Sequence, residues 1–164
     1  MRYSIIQQAF KEITESHKSN ITFVTGLEED IDMGSIQYPL LFLQPPAFSM
    51  PLLTDSIGSD TWKIHLETQE QMQGSASTNS KQQALDRTRE YLRDIVLNFV
   101  YNYGVNNKSV TVGNLTETLD FEVVGVAESS PFISLDDNIT GWQIDFAIRE
   151  NKHEDLCHLN DIFE

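Results

Sequence analysis

Apolar and polar residues alternate almost without fault along "NITGWQIDFAI", Asn138 to Ile148. Successive side chains of a strand point to opposite faces. Trp142, Ile144, Phe146 and Ile148 therefore share one face, and Gln143, Asp145 and Arg149 share the other, with Ala147 as a small apolar exception. Such a strand belongs to a sheet with one dry side and one side meeting water or a partner. "TWKIHLETQEQM" repeats the pattern, with Trp62, Ile64 and Leu66 against Lys63, His65 and Glu67. Helical spacing appears first at Ile5, Ile6, Ala9, Phe10 and Ile13, which predicts an amphipathic helix over Tyr3 to His17. It appears again, at greater length, in Ala84, Leu85, Thr88, Tyr91, Leu92, Ile95, Val96, Phe99, Val100 and Tyr103. That stripe predicts a long helix over the dry side of the sheet, capped by Ser80 or Asn79 and ended by Gly104.

Shorter segments fill the intervals. "NITFVTG" reads as a strand stopped by Gly26, and "LEEDIDMGS" as an acidic loop. "YPLLFLQPP" is an apolar strand bounded by Pro39 and by Pro45-Pro46, and prolines at both ends suit a sheet edge. "AFSMPLLTDSIGSD" has neither period and carries Phe48, Met50, Leu52, Leu53 and Ile57 in what reads as a loop. After the long helix, "SVTVGN" and "TLDFEVVGVAES" read as strands, and "ESSPFISLDDNIT" as a linker that displays Phe132, Ile133 and Leu135. In the tail "NKHEDLCHLNDIFE", Leu156, Leu159, Ile162 and Phe163 have helical spacing behind an Asn151 cap. The whole order predicts an α+β fold, a mostly antiparallel sheet packed against one long and one N-terminal helix, with a C-terminal extension. The domain is 1–150 and the amphipathic arm 151–164. Trp62, Ile64, Leu66, Leu92, Ile95, Phe99, Trp142, Ile144 and Phe146 are the expected core.

Composition narrows the function. With 164 residues, 40% of them hydrophobic, the chain has enough apolar surface for one core and too little for two. A formal net charge of −14 argues against grip on a DNA backbone, since phosphate affinity comes from Lys and Arg displacing counterions. Cys157 is the only cysteine, so an internal disulfide is excluded and a reducing cytoplasm is the expected place of folding. No stretch approaches the ~20 apolar residues that span a bilayer. Lys11, Glu12 and Glu15 interrupt the first segment where a signal peptide is apolar, so no membrane partner is expected.

Catalytic chemistry finds little to work with. His153, Cys157 and His158 are zinc-type ligands, but His158 is rotated by ~100° from Cys157 on a helix, and no second cysteine-rich half exists. A Cys/His hydrolase is weaker still, because the acidic surroundings of Cys157 disfavour a thiolate. The carboxylates Glu28-Glu29-Asp30-Asp32 and Asp136-Asp137 lack the alternating pattern and central glycine of a calcium loop, so they read as solvated turns. His65 reads as a solvent-exposed imidazole on the polar face of its strand. No phosphate-cradling loop and no hydrolase motif occurs, so the expectation is a protein without cofactor, metal or catalytic site.

What stands out instead is the order of elements. Tyr38-Pro39 ahead of an apolar strand, Trp62 in an alternating strand, the apolar placement from Ala84 to Ile95 and the closing "GWQIDFAI", Gly141 to Ile148, resemble the tail-terminator and tail-completion proteins of double-stranded DNA bacteriophages. The resemblance covers the chain to about Glu150 and consists of apolar placement rather than an active-site motif. "QPPAFSMPLLTDSIGSD", the linker with Pro131-Phe132 and the tail after Glu150 depart from the family pattern. It implies a structural role: a homo-oligomeric ring in the virion, made in the bacterial host cytoplasm, that joins portal or connector to tail while DNA passes through its lumen. Phe48, Met50, Leu52, Leu53, Phe132, Ile133, Leu135, Leu156, Leu159, Ile162 and Phe163 are the candidate contacts with neighbouring subunits and virion proteins. A soluble α+β protein-protein adaptor is the alternative, and a metal-dependent hydrolase the third reading.

Overall fold

A computed structural model describes residues 1–26, 36–49, 60–72, 77–134 and 138–150. Met50, Leu52, Leu53, Ile57, Leu135, both acidic clusters, the His153, Cys157 and His158 set, and Leu156, Leu159, Ile162 and Phe163 lie outside the described residues. The chain opens with helix α1, Tyr3–Glu15, followed by strands β1, Thr22–Thr25, β2, Leu40–Leu43, β3, Ala47–Ser49, and β4, Thr61–Gln71. Helix α2, Thr78–Phe99, continues as a π-helical turn over Val100–Val105. Strands β5, Ser109–Val112, β6, Leu115–Thr118, β7, Phe121–Ser134, and β8, Ile139–Glu150, complete the fold. It is the expected α+β arrangement, with a mostly antiparallel sheet and two helices.

The six-stranded sheet runs β1-β2-β4-β8-β7, with β3 beside the start of β4. Only the β1–β2 pair is parallel among these pairings. In the central pair, Ile64 lies opposite Phe146 and Leu66 opposite Ile144, so the two most regular alternations of the sequence face the same side. Ile64, Leu66, Phe146 and Ile148 are buried there beneath the helices. Ile5, Ile6, Ala9, Phe10 and Ile13 of α1 and Leu92, Ile95 and Phe99 of α2 close the core. Phe99 is its hub, stacking on Phe10 at 4.3 Å and on Phe121 at 5.0 Å and meeting Phe146 edge-on at 6.4 Å. The Thr68 hydroxyl ties sheet to helix by donating to the Thr88 carbonyl at 2.7 Å. Trp142 and Ile144 are only partly buried, at the rim of the core.

Several local expectations are corrected. β2 is an interior strand, because Pro39, Pro45 and Pro46 flank rather than occupy its four paired residues. The Pro39 carbonyl even accepts from the Thr22 amide at 2.9 Å, so the proline uses the group it has. The predicted loop around Phe48 holds β3, whose Phe48 pairs with Trp62. The predicted linker at Phe132 and Ile133 is the second half of β7, where Pro131 is tolerated because β7 is an edge strand. Leu115–Thr118 forms β6, paired with β5 in a separate hairpin. The α2 cap is Ser77, whose hydroxyl accepts from the Ser80 amide at 3.2 Å. Gly104 does not end the helix but lies within the π turn, where an added Cβ would stand 3.0 Å from the Phe121 ring. The glycine is there for close approach.

Candidate assembly surfaces

On the polar face of the sheet, β4 and β8 bring His65 between two carboxylates. Its Nδ1 lies 2.7 Å from Asp145 Oδ1, directly across the strand pair, and its Nε2 lies 2.9 Å from Glu67 Oε1, two residues along the same strand. Gln69 donates to the other Glu67 oxygen at 2.9 Å. The hydrogen bond to Glu67 raises the His65 pKa to about 9, with Asp145 adding to it and burial opposing it. The expected solvent-exposed imidazole is therefore a clamped cation, because the strand register places a carboxylate on each ring nitrogen. A protonated imidazole offers no lone pair to a metal and no site for general-base work. Among the described residues no group of three metal-ligating side chains converges.

Exposed apolar side chains collect at both edges of the sheet. β7 borders only β8, and it carries Val123, Val126 and Ile133, of which Val126 is 86% exposed. The register slips between Val124 and Glu128, where Gly125 adopts φ +75° and turns Val126 outward. At the opposite side of the sheet, β3 holds Phe48, half-exposed, with its ring 4.8 Å from that of Trp62. Of the predicted contact residues that are described, Phe48 and Ile133 are thus available at the surface, on different edges. Phe132 is partly buried: it pairs with Gly141 and covers it, since a Cβ at Gly141 would come within 2.8 Å of the Phe132 ring and collide with the Thr68 carbonyl. The glycine before Trp142 is required by that close approach.

A third surface lies on the helical side. The C-terminal end of α1 and the outer face of α2 enclose an open groove of about 720 Å³ lined by Ile13, Tyr91, Leu97 and Tyr101, with His17, Lys18, Glu90 and Asp94 at its rim. His17 Nε2 stands 3.8 Å from Asp94, and its ring meets Tyr91 edge-on at 5.6 Å. Leu97 and Tyr101 are 55% and 61% exposed, and Val105 continues the same line. Sequence reasoning passed over these three because they fall off the core stripe. The available signal was their own four-residue spacing, which puts them on one helix face away from the core.

No family model matches the chain, and no curated protein matches it significantly. Among the described residues no helix is long and apolar enough to cross a membrane.

Proposed function

We propose that the protein is a subunit of a homo-oligomeric ring at the head-tail junction of a bacteriophage virion, acting as a tail-terminator, tail-completion or neck ring protein that joins portal or connector to tail. The observation that carries this reading is the placement of exposed apolar side chains on opposite edges of one sheet, Phe48 on β3 and Val126 and Ile133 on β7. A closed ring needs two different patches on each subunit, one for each neighbour, whereas a twofold dimer needs only one self-complementary patch. Between those edges the polar sheet face carries the carboxylates Glu67, Asp145, Glu128 and Glu122, with His65 held between the first two and Arg149 paired to the last, and Lys63 beside them. The net charge of −14 suits a channel wall past which DNA slides, because repulsion of the phosphates outweighs their neutralisation.

The test is the size of the full chain at tens of micromolar, by native mass spectrometry and negative-stain imaging. Closed rings with a central channel are expected. Phe48→Asp and Val126→Asp should each abolish rings, and an equimolar mixture of the two should stop at dimers, since one intact edge of each variant can still meet its complement. Monomers throughout would overturn the ring and leave the adaptor reading. Loss of assembly in one variant, unchanged by the other, would overturn the assignment of the two edges.

A further inference from the structure

We propose that the trough between the β8-facing flank of α2 and the edge strand β7 takes an acidic amphipathic helix of a partner protein. Neighbouring strands lie ~4.8 Å apart and packed helices ~10 Å apart, so one helix covers about two strands. The path β1-β2-β4-β8-β7 has five. α1 packs on β1 and α2 on β4 and β8, while the π turn meets β7 at Phe121, its first residue. Beyond that point the helical side of β7 is open. Val123, Ser129, Pro131 and Ile133 lie opposite Ile148, Ile144, Trp142 and Thr140, hence on the core side of the sheet, and all four are exposed. Val124 and Phe132, on the reverse side, are less exposed than they are. A strand whose core-side residues are the more exposed ones lacks its covering layer.

The wall of the trough sets the chemistry of its cover. Arg89 and Arg93 lie one turn apart on the flank of α2 that faces β8, and the Arg89 guanidinium stands 5.5 Å from the centre of the Trp142 ring. The chain's other three arginines each pair with a glutamate: Arg2 with Glu117, Arg87 with Glu70 and Arg149 with Glu122. Among the described residues Arg89 and Arg93 have no carboxylate partner, although acidic side chains outnumber Lys and Arg by 25 to 11. Each keeps a fork of N–H donors that matches a carboxylate. Beside them Trp142 and Ile144 are only partly buried, and Val96 and Val100 line the same flank of α2. An apolar floor under a two-arginine wall fits a helix with one apolar face and carboxylates along its side. The flank runs from Leu85 to Val100, about 22 Å, the length of a helix of roughly four turns. The trough stands without the ring reading, because neither arginine takes part in the proposed ring contacts.

The probe is a fluorescently labelled helical peptide of about 18 residues, with leucines along one face and glutamates on both flanks. It is compared, by anisotropy on the full-length protein, with the same peptide carrying lysines in place of the glutamates. A net charge of −14 draws the lysine peptide to the surface at large, so tighter binding of the glutamate peptide requires a local cationic seat. That preference is the expected result. Arg89→Glu combined with Arg93→Glu should weaken the glutamate peptide by about tenfold or more and reverse the preference. Lys11→Glu combined with Lys18→Glu makes the same change of net charge at exposed positions away from the trough and should leave the preference unchanged. Val123→Asp, on the exposed floor, should weaken the glutamate peptide as well. Tighter binding of the lysine peptide, equal binding of the two, or a glutamate peptide indifferent to the loss of both arginines would overturn the proposal. So would loss of self-association in the double-arginine variant without glutamate-peptide binding in the native chain, which would give this face to a second copy. Rings are scored separately by native mass spectrometry, so their absence overturns the ring reading while peptide binding still decides this one.

Discussion

A protonated imidazole between two carboxylates ties β4 to β8, and its contribution depends on pH. The folded-state pKa of His65 is raised to about 9, above its ordinary value of 6.5, so its stabilisation is complete below about 6.5 and is lost as the pH rises through 9. Asp145 is well exposed, so solvent screening limits the effect to about 1–2 kcal/mol. Melting curves between pH 6 and 10 should fall for the native chain relative to His65→Gln, with the two converging at the alkaline end; a constant gap would remove the clamp. The opposite face of the same strands responds to volume instead of charge. Phe146→Ala removes a buried ring from contact with Phe99 and should cost about 3–5 kcal/mol in denaturant unfolding. Trp142→Ala, at the rim with the Arg89 guanidinium 5.5 Å above its ring, should cost less, about 2–3 kcal/mol. Gln143→Ala on the polar face should stay within about 0.5 kcal/mol. Equal losses on the two faces would mean that the register of β8 is wrong.

Helix α2 is defined at its ends by two small contacts. Ser77→Ala deletes the hydroxyl that accepts from the Ser80 amide and should cost about 1 kcal/mol, whereas Ser80→Ala should cost less, because the Ser80 amide keeps its acceptor. At the other end, Gly104→Ala forces the Phe121 ring to move away from the π turn and should cost about 1–3 kcal/mol. Thermal unfolding of the three variants checks both ends; a neutral Gly104→Ala would show that the ring yields freely. Between those ends the π turn keeps Tyr103 in the core, where its hydroxyl donates to Glu12 at 3.0 Å and receives Lys108 at 3.3 Å. Burial, the largest influence, raises the Tyr103 pKa, so the phenol stays protonated and able to donate. α1, the π turn and the segment leading into β5 thus converge on one side chain.

For the molecule as a whole, charge decides how readily subunits meet. A net charge of −14 opposes association at long range, while the proposed contacts through Phe48, Val126 and Ile133 are apolar and insensitive to screening. Assembly should therefore strengthen with salt, with rings appearing at lower protein concentration in ~0.5 M than in ~0.05 M sodium chloride, as the screening length shrinks several-fold. Light scattering across that range checks it. Weaker association at high salt would point to interfaces built on ion pairs instead.

Period and length were enough for the α+β class, both helices and the two central strands, because Ile64, Leu66, Ile144 and Phe146 carry their face assignment in the alternation itself. The inward facing of Phe10 and Phe99 was legible as well, since both lie on unambiguous helical stripes, but the stacking of their rings was not. Edge and interior were not. Prolines around Leu40–Leu43 suggested an edge, and pairing on both sides made that strand interior, because the prolines stop short of its ladder. Ser129-Ser130-Pro131 has little strand preference of its own, and β8 imposed extension on it through cross-strand pairing. The candidate surfaces were only half legible. Phe48 and Ile133 stood out as apolar residues in weak surroundings, but the His65 clamp and the groove beside Leu97 and Tyr101 depend on residues far apart in sequence, 80 apart for His65 and Asp145. Local pattern says which way a side chain points along its own element. Only packing decides which distant side chain it then meets, because that depends on register and on the strand or helix set against it.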